Sequence, residues 1–232
     1  ASRAELFRRE LVPFEAALKA GVLAVMTSHL LVPALDPDRV VTLSPAALGV
    51  LRKAAQPRQA IVAVSSDADL AGEFGADMLL LPGDGPSASA ARRRLHQWAL
   101  IGRSCHTHAD VDAALADPDI NYLIVTADLS TVRYAAEKAP QGDPASKPWF
   151  AAGGITVDYL DALVEAGCRR VVVARALARA KDPRAAASEF ADALRKAWDA
   201  DPAMEKVVLA AFRSPNHPLT SATIPPAPPL DR

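Results

Sequence analysis

The chain has 232 residues, with 26 Lys and Arg against 27 Asp and Glu and a formal charge of -1, so no basic excess is present to hold a polyanion. Half of it is hydrophobic and only 5% aromatic, which suits an aliphatic core and gives no platform for stacking bases, so nucleic acid is not an expected partner. No apolar run reaches the roughly 18 residues of a membrane span, the start ASRAELFRRE lacks a signal-peptide core, and Cys105 and Cys168 fit neither a disulfide framework nor a zinc knuckle. A cytoplasmic protein with no membrane partner is expected.

Short β-rich runs alternate along the chain with Ala-rich segments of helical spacing, the pattern of parallel βα units. Seven strands are predicted, at residues 22–27 (VLAVMT), 60–65 (AIVAVS), 77–81 (DMLLL), 100–104 (LIGRS), 122–126 (YLIVT), 149–152 (WFAA) and 170–174 (RVVVA). Their near-continuous hydrophobicity implies burial on both faces. Helices are predicted at about 5–20, 45–55, 87–98, 108–116, 130–139, 157–166 and 183–199. Thr156 and Asp158 punctuate one helix start and Gly167 its end, while Lys181, Asp182 and Pro183 open the last helix.

The expected fold class is α/β, a TIM-type (βα)8-like barrel, yet seven strands are one short of a closed eight. Residues 39–44 (RVVTLS) can supply a strand, the tail can fill the gap, or the first strand is missing or replaced; the sequence does not choose among these. A gap leaves strand edges bare and invites a partner, so a homodimer is one expectation. One barrel domain is expected over 1–199, followed by an extension over 200–232. From Ser214 the extension gathers six of the 19 prolines among small polar residues, a composition that forms no packed core.

Several residues stand where chemistry is done. Gly153 and Gly154 end a predicted strand, where backbone without side chains turns tightly and points N–H groups at an anion. The backbone at Ala174 and Arg175, after RVVVA, opens a helix and adds free donors, and phosphate binding after the last strands is a recurrent use of this barrel. Ser104 and His106 end the strand in IGRSCH, where period-two alternation aims both toward the barrel mouth. A histidine with an unperturbed pKa of about 6.5 can pass a proton in either direction. His106 and His108 form a His-x-His pair and His29 ends another strand, but no carboxylate motif fixes a metal geometry around them. Trp98 and Trp149 read as packing at strand ends, Trp198 as the apolar face of the last helix, and Arg92 to Arg94 as a solvated helix face.

Two resemblances meet in the chain. RRELVPF (8–14), AGVLAVMTSH (20–29), VPALDPDR (32–39) and TLSPA (42–46) resemble part of the barrel of glycoside hydrolase family 3 over about residues 8–52, within a first segment of 1–56. The two opposed carboxylates that glycoside hydrolysis needs are not matched, since only Asp67 is a candidate, so that activity is not expected.

From about 59 to 194, within 57–199, the chain is similar to the thiamine phosphate synthase family and its tautomerase relative, through IGRSCHT (101–107), KPWFAAGGI (147–155) and AGCRRVVVARALARAKDPRAAA (166–187). The resemblance implies an enzyme of thiamine biosynthesis, either a transferase joining a pyrimidine pyrophosphate to a thiazole phosphate with Mg²⁺, or an isomerase of the thiazole phosphate. It implies that Ser104 contacts the pyrimidine and that His106 moves a proton on the thiazole phosphate. It makes Gly153, Gly154, Ala174 and Arg175 a cradle for a small phosphate ligand. The family's Asn-Asp-Arg becomes Ser65, Ser66 and Asp67, and its Gln-x-Asp becomes Gly83, Asp84 and Gly85, which leaves Asp67 and Asp84 either as ligands of one Mg²⁺ or as exposed loop aspartates. Its Gly-Pro and Thr-x-Thr-Lys become Thr126, Ala127 and the run Ser130 to Arg133, which leaves Arg133 as the cation for pyrophosphate. Support for the leaving group is eroded, so weak or altered catalysis is expected, and a barrel that binds phosphate without chemistry is the alternative.

Overall fold

The computed structural model describes residues 12–19, 24–26, 38, 44, 49–50 and 61–213. Within them, α1 (Val12–Lys19) and β1 (Ala24–Met26) are followed by β2 (Ile61–Ser65), α2 (Ala68–Phe74), β3 (Met78–Leu81), α3 (Ala88–Arg92) and β4 (Leu100–Cys105). Then come α4 (His108–Ala116), β5 (Tyr122–Thr126), α5 (Leu129–Lys138), β6 (Trp149–Ala152), α6 (Val157–Glu165), β7 (Val171–Val172), α7 (Arg175–Ala178), α8 (Pro183–Asp199) and α9 (Pro202–Arg213). All seven strands are parallel and hydrogen-bonded in sequence order, β1-β2-β3-β4-β5-β6-β7. They form a curled, TIM-type α/β sheet with its helices outside. Among the described residues β1 and β7 are not paired with each other. The predicted strand at 39–44 apart from Ser44, half of the predicted helix at 5–20 and all but 49–50 of that at 45–55 lie outside the described residues.

Strand pleating sorts the side chains into two layers. Leu79, Leu81, Ile101, Cys105, Leu123, Val125, Trp149 and Ala151 point outward and pack against the helices in one large core. Ala63, Met78, Leu80 and Tyr122 point inward, joined by Ile61, Ile124 and Phe150. The Tyr122 ring lies against Gly102, where a Cβ would collide with it, and its hydroxyl donates to the Leu79 carbonyl at 3.1 Å. Phe150 meets Tyr122 edge-on at 6.3 Å. Complete burial pushes the Tyr122 phenol above its usual range. This inner layer packs the concave face of the described sheet.

Helix ends follow local chemistry. Asp67, Ser87, Thr107, Asp128 and Asp182 cap their helices through side-chain oxygens, each satisfying N–H groups that have no partner within the helix. Gly167, at φ +96°, closes α6 as predicted, with its N–H on the Val164 carbonyl. Two sequence readings need correction. The helix predicted over 87–98 ends at Arg92, because the Arg92 guanidinium turns back to the Ala99 carbonyl and Asn121 and so leaves the solvated face assigned to it. Trp98 is 73% exposed and packs no strand end. A helix for which the sequence reading had no counterpart, α9, is folded onto the body ahead of Ser214 through buried Met204 and the Asp201–Arg169 ion pair at 3.0 Å.

Candidate functional site

The C-terminal ends of β4, β5, β6 and β7 lie side by side, because the register pairs Cys105 with Val125, Thr126 with Ala152 and Ala152 with Val172. On β4, Cys105 faces the outer core, so Ser104 and then His106 take the inner face of the pleat. Ser104 is half-buried and His106 exposed. The His106 ring reaches the next strand, its Nδ1 lying 3.0 Å from Thr126 Oγ1. Its backbone is held from the other side, where the Asp110 carboxylate accepts the N–H of His106 at 2.9 Å and that of Thr107 at 2.8 Å, while Thr107 Oγ1 accepts the Asp110 N–H. The His106 N–H foremost, and Thr107 with it, holds the Asp110 carboxyl below its ordinary range despite partial desolvation.

Around this histidine the loops are shaped by backbone contacts. Arg103 crosses outward and donates to the carbonyls of Pro82 and Pro86, both at 2.8 Å, pinning the β3–α3 loop. Within that loop a Cβ on Gly83 would stand 3.1 Å from the Ser104 carbonyl oxygen and 3.7 Å from His106 Cδ2. The Ala127 N–H donates to the Ala152 carbonyl at 2.8 Å, and Tyr159 donates its hydroxyl to the Ala127 carbonyl at 2.9 Å, so the ends of β5 and β6 and helix α6 are tied together.

Gly153 and Gly154 follow β6 at φ +109° and +64°, a backbone that side-chain-bearing residues rarely adopt, with open space where their Cβ atoms would be. Both are exposed, and among the described residues neither gives its N–H to another protein group. The pairing of Ala152 with Val172 sets this turn beside the end of β7, where exposed Ala174 and Arg175 open α7. The phosphate-cradle residues read from the sequence are therefore neighbours at one end of the sheet, next to the strand pair that carries Ser104 and His106.

The other predicted residues fare differently. Asp67 turns its carboxylate to the start of its own helix, accepting the Leu70 N–H at 2.8 Å. Asp84 is exposed in the turn after β3. Among the described residues no group of three or more His, Cys, Asp or Glu is placed to hold a metal. Asp67 and Asp84 alone do not make a Mg²⁺ site among the described residues. Arg133 is exposed on α5 and makes no ion pair among the described residues. His108 turns away from His106 and stacks on Tyr134 at 4.0 Å, with Ser130 Oγ 3.3 Å from its Nε2; His29 lies outside the described residues. Cys105 is fully buried, and that burial pushes its thiol up to about 12, so it stays a neutral packing group. A cleft of about 410 Å³ opens at the opposite end, among Gln141, Gly142, Arg169, Asp201, Met204 and Lys206, far in the fold from these residues.

Sequence reasoning gave Asp110 no part in the site, and met Thr126 and Gly83 only as replacements of family residues, with no role of their own. Thr107-x-x-Asp110 is a capping word legible in the sequence, and Thr126 is a polar residue ending an apolar strand. Neither signal says which histidine it will meet.

Fold and strand-end geometry define a TIM-type α/β protein with a polar mouth built around one tethered histidine and a glycine turn. A sequence model of the thiamine monophosphate synthase family matches residues 14–177. A thiamine-phosphate synthase from Acidothermus cellulolyticus is 40% identical over 163 residues, 65% of this chain and 74% of the relative. One from a Mycobacterium species is 41% identical over 162 residues, 64% of this chain and 69% of the relative. The solved thiamine phosphate pyrophosphorylase from Pyrococcus furiosus superposes with a TM-score of 0.67 at 20% identity, covering 82% of this chain and 91% of the other. The chain belongs to the thiamine monophosphate synthase family. That match begins at residue 14 and so takes in most of the 8–52 segment.

Proposed function

We propose that the protein binds a thiazole phosphate, or a closely similar phosphate monoester, at this mouth. The phosphate lies on the N–H groups of Gly153 and Gly154 and against Ala174 and Arg175, with the heterocycle toward Ser104 and His106. The observation that carries the reading is the hydrogen-bonded continuity from His106 to Thr126 and from Ala127 to Ala152, which ends at the Gly153–Gly154 turn. It joins one titratable group to one anion-binding backbone, which suffices for a proton shift. His106 takes a proton from a ring carbon, the bond's electron pair enters the conjugated heterocycle, and the proton returns to a different atom, so nothing is consumed.

The second reading is transfer of a pyrimidine to the thiazole phosphate with loss of pyrophosphate, favoured by the relatives at 40% identity. In the family this uses Mg²⁺; here Asp67, Asp84 and Arg133 are the residues offered to the metal and pyrophosphate, and the use of Asp67 as a helix cap argues for weak turnover. The glycoside-hydrolase-like words at 8–52 are read as ancestry. A cytoplasmic location and a homodimer meeting at a sheet edge that is unpaired among the described residues belong to the same proposal.

Thermal unfolding tests it. Saturation with thiazole phosphate, at about a hundred times its Kd, is expected to add about 2.7 kcal/mol, and free thiazole much less. Equal stabilisation by both would overturn the phosphate cradle. Robust Mg²⁺-dependent coupling that survives His106→Gln would establish the transferase in place of the proton shift.

A further inference from the structure

We infer that Thr126 is the positioning residue of the mouth: its hydroxyl holds Nδ1 of His106, which leaves Nε2 as the atom that exchanges protons with the ligand. This rests on the reading that His106 moves a proton. His106 is exposed, and an exposed imidazole ordinarily rotates among rotamers. This one is tethered twice, by the Asp110 carboxylate on its backbone N–H and by Thr126 Oγ1 on its ring at 3.0 Å. The two tethers come from different elements, α4 and β5, so together they fix both the root and the plane of the ring. Nε2 has no hydrogen-bonding partner among the described residues.

The chemistry requires a partner of this kind. For Nε2 to take a proton, the neutral ring must carry its own proton on Nδ1, and that N–H needs an acceptor. Once Nε2 is protonated both nitrogens donate, and the Nδ1–H bond must persist. A hydroxyl oxygen accepts in both states without adding charge, whereas a carboxylate in its place would stabilise the imidazolium and hinder return of the proton. Gly83 completes the setting, since a Cβ there would press on the Ser104 carbonyl beside the ring. The sequence resemblance puts Thr126 where the family pattern carries the glycine of Gly-Pro, which has no hydroxyl to offer.

Two substitutions and two readouts decide the matter. Thr126→Val keeps the shape and β preference of the residue and removes the hydroxyl; Thr126→Ser restores it. With thiazole phosphate as substrate, the valine variant is expected to lose about tenfold in kcat, the worth of one hydrogen bond, with KM within about twofold of the parent and recovery by serine. Independently of turnover, long-range nitrogen-15 NMR of the His106 ring should show the Nδ1–H tautomer in the parent and serine proteins and its loss in the valine variant. An unchanged ring spectrum in Thr126→Val, or a serine variant as impaired as valine, overturns the positioning role. If His106→Gln keeps full activity while the valine variant shifts the ring spectrum, the proton-shift reading fails and the Thr126 tether stands.

Discussion

The two ends of the sheet are built on opposite terms. At the N-terminal end, buried and half-buried polar side chains staple the strand starts. Gln141 gives its amide to the Trp149 carbonyl at 2.8 Å and takes the Arg169 N–H at 2.9 Å, and the Trp149 indole donates to the Ala139 carbonyl at 2.8 Å. Asn121 Oδ1 accepts from Ile101 at 2.8 Å and from Arg92 at 2.9 Å, while Lys147 caps the carbonyls of Ala114 and Asp117. At the C-terminal end, His106, Gly153, Gly154, Ala174 and Arg175 stand exposed, and the bonds that exist aim a ring or shape a loop. The difference teaches where each kind of loss should fall: in stability at the first end, in ligand handling at the second, the division general to this barrel.

Three substitutions break or sharpen that contrast. Trp149→Ala removes a fully buried indole together with its hydrogen bond, and about 3–5 kcal/mol of unfolding free energy should go with it, measured by urea titration. A loss below about 1 kcal/mol would show that the N-terminal end is not the stability-bearing one. Gln141→Ala strands the Trp149 carbonyl and the Arg169 N–H, and about 1–3 kcal/mol is expected to be lost with phosphate-ligand affinity unchanged. A larger effect on affinity than on stability would blur the division.

The smallest effect belongs to the mouth. Asp110→Ala deletes one half of a capping box, for about 1 kcal/mol near neutral pH. Because the folded carboxyl sits below its ordinary value, this stabilisation is complete above the unfolded Asp pKa of about 3.9 and vanishes as the pH falls through the lower folded one. Parent and variant should therefore converge in strong acid and separate as the pH rises, in thermal melts across that range. Curves that separate on acidification would refute the assignment. Asp128 behaves similarly: desolvation pushes it up, but the bonds to Thr131 and neighbouring N–H groups outweigh this and hold it low.

How much was legible follows the range of the interactions. Every predicted strand overlaps an observed one, with β4 running one residue past its predicted end, since a parallel strand buried on both faces must be apolar nearly throughout, which is a local property. The Gly153–Gly154 turn and Pro183 at a helix start were legible for the same reason: each is set by the backbone freedom of one residue. Helix α9 has no counterpart in the sequence reading, and the helix at 87–98 is overextended there because periodicity does not register Arg92 turning back.

The sequence by itself specifies the class of chain and the order of its strands along it, because hydrophobic period and glycine placement act over a few residues. Only the tertiary structure decided that His106 meets Thr126, 20 residues away, while His108 stacks on Tyr134, and that Asp67 caps its own helix. Those pairings depend on the register of β4 against β5, which matches Cys105 to Val125, and on the direction in which each pleat points its side chain. Register is settled by the packing of the whole sheet, so no local pattern of residues carries it.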